Sequence, residues 1–111
     1  MSKKIVYLAV PYSHEDEKIR EERFLKVNKV AARLLKEGLT VFSPISHSHP
    51  IAMAENLPTD FDFWVQFDTA FLSHSKKLIV LMLDGWEESK GVTGEIKIAQ
   101  ELNIPIEYIN E

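Results

Sequence analysis

Two rhythms of apolar residues interleave along this chain: short continuous aliphatic runs, and longer stretches in which apolar side chains recur at helical spacing. The first predicts strands buried on both faces, the second amphipathic helices. Lys4–Val10 reads as a strand closed by Pro11, which has no N–H to give to a ladder. Ser13, with Asp16 three places on, reads as a helix cap and its reciprocal acid; Ile19, Phe24, Val27, Ala31, Leu34 and Leu35 then form one apolar face as far as Gly38. Leu39–Ser43 is a short second strand stopped by Pro44. From Pro44 to Pro58 the pattern is irregular, with room for a helical turn or two between Ile51 and Glu55. Asp60 precedes a helix whose face carries Phe61, Trp64, Phe67, Phe71 and Leu72 and which ends near Ser75. Lys77–Leu83, the most apolar run, predicts a buried third strand. Ile96, Ala99 and Leu102 mark a last helix, and Ile104–Ile109, with Pro105, an outer fourth strand.

Strands alternating with helices, joined by right-handed crossovers, imply an α/β fold: a flavodoxin-like three-layer sandwich around a small parallel sheet in the order 2-1-3-4. With 111 residues and 45% hydrophobic content, residues 1–111 are expected to form a single domain with one ordinary core. A net charge of -4 argues against a broad footprint for a nucleic acid polymer, while leaving a small anion in a local pocket open. Zero cysteines exclude a disulfide framework and a thiol nucleophile, and no apolar run approaches a membrane span or a signal peptide. A cytoplasmic protein with no membrane partner is the expectation.

In such sheets ligands bind beyond the carboxyl ends of the strands, and the switch point lies between the first and third. That rim gathers Tyr12 and Ser13 after the first strand, the His47 and His49 loop after the second, and the loop from Asp84 through Trp86 to Glu95 after the third. Glu95, just inside a helix, can act as a nucleophile or activate a water; alone, a glutamate there more often just complements the helix dipole. Ser89, Gly91, Thr93 and Gly94 in front of it read either as an anion cradle of backbone N–H groups with a hydroxyl donor, or as a loop with a serine cap. Helix start and N–H donors should hold Glu95 ionised. Asp68 interrupts an aromatic face, so it lines a cavity or turns to solvent. Tyr7, on the first strand, either orients Glu95 or packs. Trp64, Phe67 and Phe71 read as core, whereas Tyr12 or Trp86 could stack on a base. The two histidines fit ligand binding or a capped turn; with no third ligand at a recognised spacing, neither metal nor cofactor is expected.

The segments Tyr7–His14, Phe42–Pro50, Phe63-Trp64 with Phe67-Asp68, and Leu83–Ile96, taken together and in order, resemble DUF1937, a branch of the nucleoside 2-deoxyribosyltransferase superfamily. The resemblance implies cleavage of the N-glycosidic bond of a nucleoside or nucleotide through a glycosyl-enzyme. Glu95 matches the nucleophile, Asp68 the aspartate that handles the base, and Tyr7 the tyrosine that steadies the nucleophile. Ser89 resembles the serine that meets a 5′-phosphate in the nucleotide hydrolase branch, which favours a nucleoside 5′-monophosphate. Gly91, Tyr12, Ser13, His47, His49, Asp84 and Trp86 are expected to contact substrate. The superfamily's shared sites, together with the aromatic face of Trp64, Phe67 and Phe71, imply a homodimer or higher homo-oligomer. A non-catalytic nucleotide-sensing module with the same pocket is the alternative.

Overall fold

The computed structural model describes residues 3–111. Strand β1 (Ile5–Ala9) leads into helix α1 (Glu17–Lys36), followed by β2 (Thr40–Phe42), α2 (Pro44–Glu55), α3 (Phe61–Leu72), β3 (Ser75–Leu81), α4 (Lys90–Glu101) and β4 (Ile106–Ile109). The four strands pair only in parallel, in the order β2-β1-β3-β4. This is the expected sheet, flanked by helices in a flavodoxin-like arrangement.

The side-chain period of two divides the aliphatic runs between two cores. Val6, Leu8 and Val10 of the first strand region, with Ile79, Leu81 and Leu83 of the third, pack under α1 against Val27, Val30, Ala31 and Leu34. The intervening Tyr7, Ala9, Leu78 and Val80 face the other way, towards Leu72 of α3 and Val92 and Ala99 of α4. Parity therefore puts Tyr7 on the same face of the sheet as α4, which decides its neighbours. β3 begins at Ser75, two residues ahead of the aliphatic run, because the Ser75 hydroxyl donates to the Phe71 carbonyl and the turn is tight. β4 is shorter than expected, with Pro105 just ahead of it and its carbonyl accepting from Leu78.

Three local expectations are corrected. The cap of α1 is Asp16, which accepts from Lys18 N–H; Ser13 instead donates to the Thr59 carbonyl and ties the β1 exit to the start of α3. Leu35 lies 55% exposed, because it follows Leu34 by about a hundred degrees of helix, and Val30 takes its place in the core. Helix α1 ends in a Schellman pair, Leu39 N–H to Leu34 C=O and Gly38 N–H to Leu35 C=O, for which Gly38 adopts φ +93°. Finally, 44–55 is not irregular but a helix: Pro44 starts it, Asn56 closes it in the left-handed conformation, and Pro50 sits inside it. Pro44 fits the first turn, where its missing N–H is no loss. Among the described residues no helix is long and apolar enough to cross a membrane.

Candidate active site

Beyond the carboxyl end of β1, helices α2, α3 and α4 surround a cleft open to solvent at its mouth. Each helix contributes residues four apart, hence on one side: Pro44, Ser48 and Ala52 from α2, Trp64 and Asp68 from α3, Gly91 and Glu95 from α4. Tyr12 and Ser13 close it from the β1 exit. Helices α3 and α4 approach closely because Gly94 has no side chain: a Cβ there would stand 2.5 Å from Cζ of Phe61. At Gly91 an added Cβ would make only ordinary contacts, 3.7 Å from the same ring.

At the floor, Glu95 is 6% exposed and Tyr7 wholly buried, and the Tyr7 hydroxyl donates to a Glu95 carboxyl oxygen. Burial pushes Glu95 from 4.5 up to about 8; the Tyr7 hydrogen bond opposes that rise and the nearby Asp68 charge adds to it. Asp68 is itself raised to about 7 by burial. Tyr7 is raised well above its ordinary value, first by burial and then by the charges of Glu95 and Asp68. The expectation that helix amides would hold Glu95 ionised is thus corrected. Glu95 sits in the second turn of α4, where the amides are already bonded within the helix, and among the described residues its hydrogen-bond donor is Tyr7. Oδ1 of Asp68 and Oγ of Ser48 are buried at this cleft without a partner among the described residues. Such orphaned atoms are costly and mark where a ligand or water completes the bonding.

Ser89 caps α4: its hydroxyl oxygen accepts from Val92 N–H at 3.2 Å, and its carbonyl accepts from the Thr93 amide and hydroxyl. It still lines the cleft mouth, and its own hydroxyl proton is free to be donated. Among the described residues no lysine or arginine lines the cleft, whereas Asp60, Asp68 and Glu95 do; Asp60 is engaged as the cap of α3, accepting from Phe63 N–H. Lys90, at the start of α4, is paired at the surface with Asp62 at 2.8 Å.

Four expected contacts fall elsewhere. Asp84 is exposed beside α1, where its carbonyl accepts from Arg23 at 3.2 Å. Trp86 lies in a 3₁₀ turn (Trp86–Glu88) and packs on Tyr108, with centroids 5.6 Å apart. The histidines occupy α2 rather than extended backbone, so a separation of two residues turns them to roughly opposite sides. His47 stacks on Phe67 with ring planes 6° apart, while His49 is buried between Tyr12 and α1, its Nε2 2.8 Å from Glu21. Ser48 and Phe61 were not anticipated from the sequence. Once α2 is known to be helical, the four-residue spacing from Pro44 to Ser48 to Ala52 is the signal that finds Ser48.

A parallel 2-1-3-4 sheet with a carboxylate-floored cleft beyond its strand ends defines the molecule as a flavodoxin-like α/β domain. The chain belongs to the DUF1937 family, described as a domain of unknown function, whose profile matches residues 4–111. Among curated proteins none matches it.

Proposed function

We propose that the cleft breaks the N-glycosidic bond of a nucleoside 5′-monophosphate by hydrolysis, or by transfer to another base, and that the family sits within the nucleoside 2-deoxyribosyltransferase superfamily. The observation that carries this reading is the buried trio of Tyr7, Glu95 and Asp68 at the cleft, with an Asp68 oxygen that has no partner among the described residues. Glu95, ionised, attacks the anomeric carbon; the C–N bond breaks and its electron pair leaves on the base. Asp68, raised by burial to about 7 and so protonated in part of the protein at neutrality, gives the departing base a proton. A water then attacks the glycosyl ester, gives its proton to Asp68, and releases the sugar with Glu95 restored. Tyr7 fixes the rotamer of Glu95 and takes up part of its charge. The phosphate sits at the start of α4, where first-turn amides near Gly91 and the Ser89 hydroxyl can donate. No cofactor enters any step.

The second reading, a nucleotide-binding module without turnover, is favoured by one observation: with Glu95 raised to about 8, most of the unliganded protein at neutral pH carries it protonated. Incubation with a panel of ribo- and deoxynucleoside 5′-monophosphates, followed by chromatography for free base, separates the two. Release of base supports the glycosidase; binding without release from any candidate leaves the sensing module.

A further inference from the structure

Three aromatic residues line the cleft, Tyr12, Phe61 and Trp64, and their polar atoms are engaged elsewhere. The Tyr12 hydroxyl is turned to Nδ1 of His49 and is hydrogen-bonded by Arg20. Nε1 of Trp64 donates to the Pro58 carbonyl at 2.8 Å, and Phe61 has no polar atom in its side chain. What these side chains offer a ligand is therefore their π systems. The charged residues lining the same cleft, among those described, are all acidic: Asp60, Asp68 and Glu95. Asp68 and Glu95 are 7% and 6% exposed, and Oδ1 of Asp68 has no partner among the described residues. Two cations stand nearby but are engaged: Arg20 with Tyr12 and the His14 carbonyl, Lys90 with Asp62. Aromatic rings beside carboxyls that no cation neutralises are the chemistry that receives a positive charge. The ring quadrupole attracts it, and a cleft lined by one sign of charge focuses its field on the opposite sign. Burial raises Asp68 to about 7 and Glu95 to about 8, and a cation beside them would bring both down again.

We propose that the cleft selects a nucleotide whose base carries a positive charge shared by the glycosidic nitrogen, as a pyridinium ring does. This rests on the nucleotide reading above and names the class of base for the same site. Such a ligand matches the cleft end to end, with its cationic ring among Asp68, Glu95 and the aromatic walls and its phosphate at the start of α4. Its bond cleavage also suits the floor. As the Glu95 carboxylate bonds the anomeric carbon, the C–N electron pair moves onto the ring nitrogen and cancels the positive charge, so the base leaves neutral without a proton. Asp68 then acts as an ionised counter-charge, whereas a neutral base needs its proton. Water attacks the glycosyl ester, releases the sugar with Glu95 restored, and gives its proton to Asp68, from which it passes to solvent.

Nicotinamide mononucleotide and its reduced form test this, because they share sugar and phosphate and differ chiefly in the charge of the ring. Binding to the wild type at pH 8, read by rapid mixing before turnover, should favour the oxidised, cationic form by about tenfold or more. The preference should grow from pH 6.5 to 9 as Asp68 and Glu95 ionise, and at pH 8 it should shrink in Asp68→Asn. Chromatography should find free nicotinamide released from the oxidised form and not from the reduced one. Equal affinity for the two forms, or a preference that neither pH nor Asp68→Asn changes, overturns the inference. So does binding of neutral nucleoside monophosphates with neither member of the pair bound, and there the nucleotide reading itself survives. If no nucleotide of either kind binds the wild type, the nucleotide reading fails and the inference falls with it.

Discussion

Glu95→Gln should make the protein more stable in alkali than the wild type. The Glu95 carboxyl is raised from 4.5 to about 8 because it is buried. Below pH 4.5 it is protonated in both the folded and the unfolded chain. Between 4.5 and 8 the unfolded chain has released the proton while the folded one still holds it, so stability falls as pH rises through that window and levels off above it. Between pH 6 and pH 9 this one group should cost the fold about 2–3 kcal/mol, at roughly 1.4 kcal/mol per pH unit up to its folded value. Glutamine has nearly the shape of the protonated acid and still accepts from the Tyr7 hydroxyl, but it cannot ionise. Its extra amide N–H imposes some cost at every pH, which cancels in the comparison. Thermal unfolding of both proteins from pH 5 to 9 reads the difference directly. The variant should lose less than the wild type on going from pH 6 to 9, with a gap in melting temperature on the order of 10–20 °C opening across the interval. Parallel curves would refute the reasoning, since they would mean that Glu95 ionises in the fold as easily as in the unfolded chain.

Gly94→Ala should destabilise by about 1–3 kcal/mol in urea unfolding, because the new methyl meets Cζ of Phe61 at 2.5 Å; adding Phe61→Leu should recover most of it. Ser89→Asp keeps a capping oxygen for Val92 N–H but places a negative charge at the cleft mouth, so it should weaken nucleoside monophosphate binding far more than nucleoside binding by calorimetry. Equal losses would reduce Ser89 to a cap. Phe63 is 49% exposed beside the partly buried Trp64 and Phe67, an apolar surface that a second copy would cover; light scattering at micromolar concentration should therefore give at least a dimer mass, and a monomer mass would count against it.

The sheet was legible because each strand announces itself by an aliphatic run and each crossover by a helix of ordinary period. Gly38 and Pro44 punctuate where the backbone turns, and the order 2-1-3-4 is one that right-handed crossovers allow. The pairing of Tyr7 with Glu95 was also within reach, since side-chain alternation along β1 and the position of α4 put them on one face. Helix α2 was not legible. Pro50 reads as a breaker, and residues on either side of 50 lack an apolar stripe because the side that lines the cleft carries Pro44, Ser48 and Ala52 while His47 and His49 pack against aromatic rings. Losing that helix hid Ser48 and placed His47 and His49 together when they diverge. The state of Glu95 was misread for a related reason. Position near a helix start suggested solvating amides, whereas its charge is governed by depth, which a linear pattern does not carry. Ser13 and Asp16 compete for one cap, and the choice went to Asp16 because Ser13 is engaged across the cleft mouth with Thr59.

The most direct test of Glu95 and Asp68 as a working pair is the pH dependence of kcat/KM for base release from a nucleoside monophosphate, for the wild type and Glu95→Gln in parallel. An ionised Glu95 and a protonated Asp68 are required together, so the wild-type curve should be a bell with limbs near 7 and 8. Glu95→Gln should lie at least ~10²–10⁴-fold lower throughout while still binding nucleotide. Base release by Glu95→Gln at the wild-type rate, or a flat wild-type profile from pH 6 to 9, would contradict the assignment of the chemistry to this pair.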